Sequence, residues 1–168
     1  MSRLLRVALL LAALVVAKSC QPPDCDHVDC GTCGNACCIL NVTFPMAAKT
    51  VYSAMIETLK KGGDDGRYTF TGSEDMTHDN MTAKYIIQSN HMTLVHHYND
   101  TQNFLLYADN EMSTTVRAFS ISKIYGAYCD YGQNYKNLIG YVKGLGVKEY
   151  KVVPVMGCPP PHATVKEL

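Results

Sequence analysis

Eight cysteines, the first at position 20 and five of them within "CDHVDCGTCGNACC" (25–38), constrain this chain more than any other feature. Such a cluster has three readings: a metal site, a redox centre or a disulfide framework. The residues before it decide among them. Arg3 and Arg6 precede an apolar run from Val7 to Ala17, and small residues follow. That run has the length of a secretory signal's apolar region and is short for a membrane span. Cleavage after Ala17 or Ser19 fits, and 1–19 is taken as the signal peptide. Outside the cytosol, thiols oxidise and stay oxidised. The sequence therefore predicts that Cys20, Cys25, Cys30, Cys33, Cys37, Cys38, Cys129 and Cys158 form disulfides. Cys30-x-x-Cys33 has zinc-finger spacing, but no second well-spaced pair follows. A thioredoxin-like centre would need an apolar strand before it, and there is none. Eight cysteines admit about a hundred pairings, so connectivity stays open. Adjacent Cys37 and Cys38 would point to opposite faces of a strand and should take different partners. Cys129 and Cys158 either pair with each other or pin the cluster to the rest of the fold.

Removal of 1–19 leaves 149 of the 168 residues, enough for one domain with a real core. It also removes three of the fifteen basic side chains and none of the fifteen acidic ones, for a net charge of −3. Nothing in that balance points to nucleic acid, and no membrane insertion is expected once the signal is removed. Three sequons follow, at Asn41, Asn80 and Asn99. Each is a glycan acceptor in a eukaryotic secretory pathway and should then lie at the surface.

The remainder divides into a Cys-rich segment (20–38), one domain (39–158) and a tail (159–168). "CILNVTF" alternates, with Cys38, Leu40, Val42 and Phe44 on one face and Asn41 and Thr43 on the other, and reads as a strand. Pro45 opens a helix whose apolar stripe is Ala48, Val51, Tyr52, Met55, Ile56 and Leu59, and Gly62-Gly63 stops it. Short β-like runs follow at 67–72, 83–89, 92–98, 103–109 and 114–122, with "NDTQ" (99–102) and "NEMS" (110–113) as hairpin loops. A second helix starts at Asp130 as N-cap, with Gly140 and Gly144 as weak points, and "KEYKVVPV" gives a last strand. The predicted fold is α+β: a curved antiparallel sheet of about five to seven strands packed on two helices, with an N-terminal disulfide-rich segment.

The stretch from Ser120 to the second helix resembles the end of an uncharacterised domain family of bacteria and plastids. That family's pattern is S-x-S-R, a glycine, then D-x-G-x-N before a basic helix. The matching positions are Ser120, Ser122, Lys123, Gly126, Asp130, Gly132 and Asn134. Lys123 stands in place of the arginine, and about two extra residues precede Asp130. "DCGTCGNACC", "GGDDGRYTF" and "NDTQNFLLYADN" resemble secreted Cys-rich algal and protist proteins of unknown function. Both resemblances imply an α+β fold, and neither implies a reaction.

A search for chemistry finds no nucleophile elbow, metalloprotease motif or phosphate-binding loop. His96 and His97 are adjacent in a predicted strand and would face opposite ways, so they cannot chelate one ion together. "DDG" (64–66) reads as a tight turn, and "SEDMTHDN" (73–80) as a solvated acidic loop. The candidate ligand site is the segment carrying Ser122, Lys123, Tyr128, Asp130 and Asn134, where tyrosines interleave with small polar groups. Amides at the start of the second helix could also hold an anion there. These features lean against an enzyme and toward a secreted, glycosylated binding or cell-surface-associated protein. Its partner would be a small molecule, glycan or protein, and no cofactor is implied. The alternatives are a secreted enzyme with a site near Lys123, Asp130 and a strand histidine, or a structural matrix component.

Overall fold

The structure is a computed structural model and describes residues 36–124, 127 and 130–158. The signal-peptide segment, all but the last three residues of the Cys-rich segment, the tail, Tyr128 and Cys129 lie outside the described residues. Among the described residues the fold is α+β, with antiparallel strands in one open sheet and two helices. In chain order these are β1 (Cys37–Phe44), α1 (Ala48–Lys60), β2 (Tyr68–Asp75), β3 (Tyr85–Met92), β4 (Asn99–Asn110), β5 (Ser113–Ser122), α2 (Gln133–Gly144) and β6 (Lys151–Met156). The sheet order is β2-β3-β4-β5-β1-β6. Strands β2 to β5 form a meander, and β1 pairs with both β5 and β6.

One face of the sheet meets both helices. Cys38, Leu40, Val42 and Phe44 of β1 enter the core, joined by Ile87, Phe104, Leu106, Val116 and Ala118. The stripe on α1 falls where its spacing puts it, with Val51, Met55 and Leu59 buried and Tyr52 and Ile56 packed at the margin. From α2 come Leu138, Tyr141 and Val142. Each fully buried aliphatic side chain of this kind stabilises the fold by roughly 1.5–3 kcal/mol. On the opposite face Cys37, Ile39, Phe119 and Ile121 form a smaller buried cluster.

Cys38 pairs with Cys158, tying the start of β1 to the residue just beyond β6. Cys37 is disulfide-bonded as well. The two neighbours therefore take different partners, as their opposite faces require. Of the two routes open to Cys158, the structure shows the one that pins the cluster to the body.

After α1 the chain turns through Gly62 and Gly63, both with positive φ. At Gly63 the hydrogen is needed twice over. Its φ is 75°, and a β-carbon would lie 2.1 Å from the ring of Tyr68. Gly63→Ala should cost about 2 kcal/mol, from left-handed strain and overpacking together. Denaturant unfolding measures this, and a variant as stable as the parent would refute the tight fit.

One predicted strand is absent. Of residues 92–98, read as a strand from "MTLVHHY", Met92 ends β3 and 93–98 instead form the β3–β4 turn. Thr93 N–H donates to Tyr98 O at 2.8 Å, and Tyr98 N–H donates to the Thr93 hydroxyl at 2.9 Å. His97 takes a left-handed φ of 53°. Leu94 and Val95, the apolar centre of the supposed strand, are largely exposed. Conversely "NDTQ", read as a hairpin loop, is the first part of β4. The error has a physical source: Asp100 and Gln102 face the core, so a strand with polar inward positions reads as a loop. "NEMS" does turn, with Glu111-Met112 joining β4 to β5.

Candidate functional site

The inward polar residues gather at one end of the sheet. His91 lies opposite Tyr68 and Asp100, and Asp100 opposite Ser122. In the next row Ser89 faces Gln102, and Gln102 faces Ser120. All of these are buried. Apolar packing cannot satisfy such groups, and α2 supplies partners for Asp100, Ser120 and Ser122. Asn137 Nδ2 donates to Asp100 Oδ2 at 2.7 Å, and Gln133 Nε2 donates to Asn137 Oδ1 at 2.7 Å. The Ser120 hydroxyl donates to Asn134 Oδ1 at 2.6 Å. The Asn134 amide nitrogen faces Asp130 Oδ2 at 2.7 Å, Ala36 O at 3.0 Å and Ser122 Oγ at 3.1 Å. Burial pushes the Asp100 carboxyl up to about 6, against the opposing pull of hydrogen bonds from Asn137 and Ser122; Asp130 nearby adds to the rise.

Three of the five residues singled out from the sequence, Ser122, Asp130 and Asn134, thus meet in this network. Their polar groups are engaged with one another and with the sheet. Lys123 is exposed, and its backbone N–H donates to Asn99 O at 3.2 Å. Tyr128 falls outside the described residues. Helix α2 starts at Gln133 rather than Asp130. Asp130 still caps it from two residues ahead of the formal cap: its carboxylate accepts from Gly132 N–H at 2.9 Å and Asn134 N–H at 2.7 Å. The amides proposed to hold an anion are therefore already serving a carboxylate of this chain. His96 and His97, offered as partners in the enzymatic alternative, sit exposed in the β3–β4 turn.

Next to the network lies a cleft of about 440 Å³ between the loop that follows α1 and the face of α2. Its size is that of a small-molecule pocket. His91, only 2% exposed, forms part of its wall. His91 Nε2 lies 2.9 Å from Asp65 Oδ2. A carboxylate only accepts, so Nε2 carries the proton and Nδ1 is left with a lone pair. Among the described residues His91 Nδ1 and Gln102 Nε2 are buried without a hydrogen-bond partner. Burial lowers the His91 pKa, and the bond to Asp65 only partly restores it. Burial alone would raise Asp65; hydrogen bonds from His91 and Arg67 outweigh this and hold its carboxyl low. Arg67 grips Asp65 with two side-chain nitrogens, at 3.0 and 2.6 Å. Tyr68 packs on His91 with ring centroids 4.4 Å apart and donates its hydroxyl to Asn137 O.

Opposite this wall α2 presents Lys136, Gly140 and Lys143. The two glycines read as helix weaknesses have a packing role. A β-carbon on Gly140 would come within 2.8 Å of Asp64 Oδ2, and one on Gly144 within 3.0 Å of Asp64 Cβ. Their absence lets the loop seat Asp64 against the helix.

The sequence reading missed this cleft. "DDG" is a turn, as read, but it also delivers Asp64 and Asp65 to the wall. His91 belongs to none of the motifs that the sequence offers. The available signal was the alternation of Ser89 with His91 and of Asp100 with Gln102, polar residues at strand spacing. Of the predicted glycan acceptors, Asn80 and Asn99 are exposed and Asn41 is half-buried between β5 and β6. Among the described residues no group of three or more His, Cys, Asp or Glu side chains is placed to hold a metal ion, and no helix is long and apolar enough to cross a membrane. The chain matches no protein-family model, and a search of the curated proteins finds no match.

Proposed function

We propose that the protein is a secreted, glycosylated, non-enzymatic binding domain that holds a small polar solute in the cleft between the loop at 62–67 and α2. One observation carries this reading: the cleft is walled by charged groups, while its histidine is committed to structure. Nε2 is spent on Asp65, and Nδ1 is sealed from solvent. A general base needs a nitrogen within hydrogen-bond reach of substrate, and neither is offered. Among the described residues the cleft lining holds no serine, threonine or cysteine to act as a nucleophile. The basic, then apolar N-terminal sequence and the sequons support secretion and glycosylation. The Cys38–Cys158 disulfide is compatible with an extracellular protein.

The test is expression with its own first residues in eukaryotic cells, followed by a screen of small polar solutes. The protein should reach the medium with residues 1–19 removed and carry mass that a glycosidase takes off at Asn80 and Asn99. Amide resonances of 64–67 and 133–143 should move with at least one solute. Retention in the cytosol would sink the secretory part. A screen in which only residues elsewhere respond would sink the cleft.

A further inference from the structure

We propose that the cleft takes a small zwitterion, a free amino acid or a comparably small amine-bearing acid; this rests on the binding reading above. Five charged residues line it, and one pair is internally satisfied, since Arg67 grips Asp65. Of the rest, Asp64 comes from the loop and Lys143 from α2. Among the described residues neither the Asp64 carboxylate nor the Lys143 ammonium has a hydrogen-bond or ion-pair partner. They line the same cleft without pairing with each other. Asp64 is not there by default: Gly140 and Gly144 give it room against the helix.

Asp64 and Lys143 are both exposed at the cleft, so a ligand reaches each directly and can pair with each by charge complementarity. A ligand with a single charge satisfies one wall and is repelled by the other. An anion drawn to Lys143 and Lys136 meets Asp64. A cation drawn to Asp64 meets the two lysines. A molecule carrying an ammonium and a carboxylate a few bonds apart meets both. At about 440 Å³ the cleft suits a molecule of amino-acid size better than a polymer. Leu94 and Ile139 add apolar surface to its lining, where an aliphatic side chain can rest.

The experiment uses the secreted chain at neutral pH and three probes: L-leucine, L-leucinamide, which keeps only the positive charge, and N-acetyl-L-leucine, which keeps only the negative one. Calorimetry and amide shifts should show L-leucine binding at 64–67 and along α2. Each single-charge probe should bind at least tenfold more weakly. Asp64→Asn and Lys143→Gln should each weaken L-leucine at least tenfold, with amide spectra otherwise overlaying the parent's. Equal binding of a single-charge probe, or indifference to both substitutions, overturns the zwitterion assignment. If none of the three probes moves the cleft amides while another screened solute does, the assignment falls and the binding reading stands. If no solute moves them, both fall.

Discussion

Replacing Cys38 and Cys158 together with alanine should lower the melting temperature by roughly 10–20 °C. The bond closes 120 residues of chain, nearly the whole described domain. On the chain-entropy model its removal costs about 5 kcal/mol, as an upper figure. It joins β1, a central strand, to the end of β6, which among the described residues is an edge strand paired only with β1. Without it β6 is freer to peel from β1, taking Val152 and Tyr150 from the core margin. Replacing both cysteines leaves an even number elsewhere, so no new unpaired thiol confuses the result. Calorimetry of the double variant decides the matter. A melting temperature within about 2 °C of the parent would mean that apolar packing alone holds β6 in place.

Asp100→Asn should stabilise the protein at neutral pH, in a way that depends on pH. The Asp100 carboxyl is raised to about 6 in the fold, from an ordinary 3.8. The folded state therefore binds that proton more tightly than the unfolded chain does. Stability from this group is present at low pH, falls as pH rises from about 4 to about 6, and stays lost above that. The shift corresponds to about 3 kcal/mol at most. Asparagine keeps the shape, can accept from Asn137, and carries no charge to desolvate. The variant should exceed the parent by up to about 3 kcal/mol near pH 7.5, with the gap closing below about pH 4. His91 contributes the opposite slope, because its lowered pKa makes stability fall as pH drops below about 6.5. Comparing variant with parent at each pH cancels that term. A gap that is the same at both ends of the range would show that Asp100 is not the titrating group.

The fold was legible wherever inward positions were apolar. Strand β1 and helix α1 could be read residue by residue, because Leu40, Val42, Val51, Met55 and Leu59 sit at strand and helix spacing and go inside. The turn at Gly62-Gly63 was legible because glycine there marks positive φ. Legibility failed where the core turns polar. His91, Asp100 and Gln102 face inward, and their polarity shifted the reading of β3 and β4, so that "MTLVHHY" took the strand's place. The same polarity hid the site. Ser122, Asp130 and Asn134 were noticed as a group and do meet, but they fasten α2 to the sheet. The cleft is lined by residues far apart in sequence, Asp64, His91 and Lys143 among them. Only the pairing of β2 with β3 and the docking of α2 bring them together. The glycines at 140 and 144, which weaken a helix in isolation, make sense only with the loop lying against them.

The most direct test of the cleft is a crystal structure of the domain with the tightest-binding solute from the screen. The solute should lie between Asp64 and Lys143, with His91 still paired to Asp65. A solute seated on the sheet's other face, or beside Lys123 at the β5 end, would contradict the assignment of the cleft as the binding site.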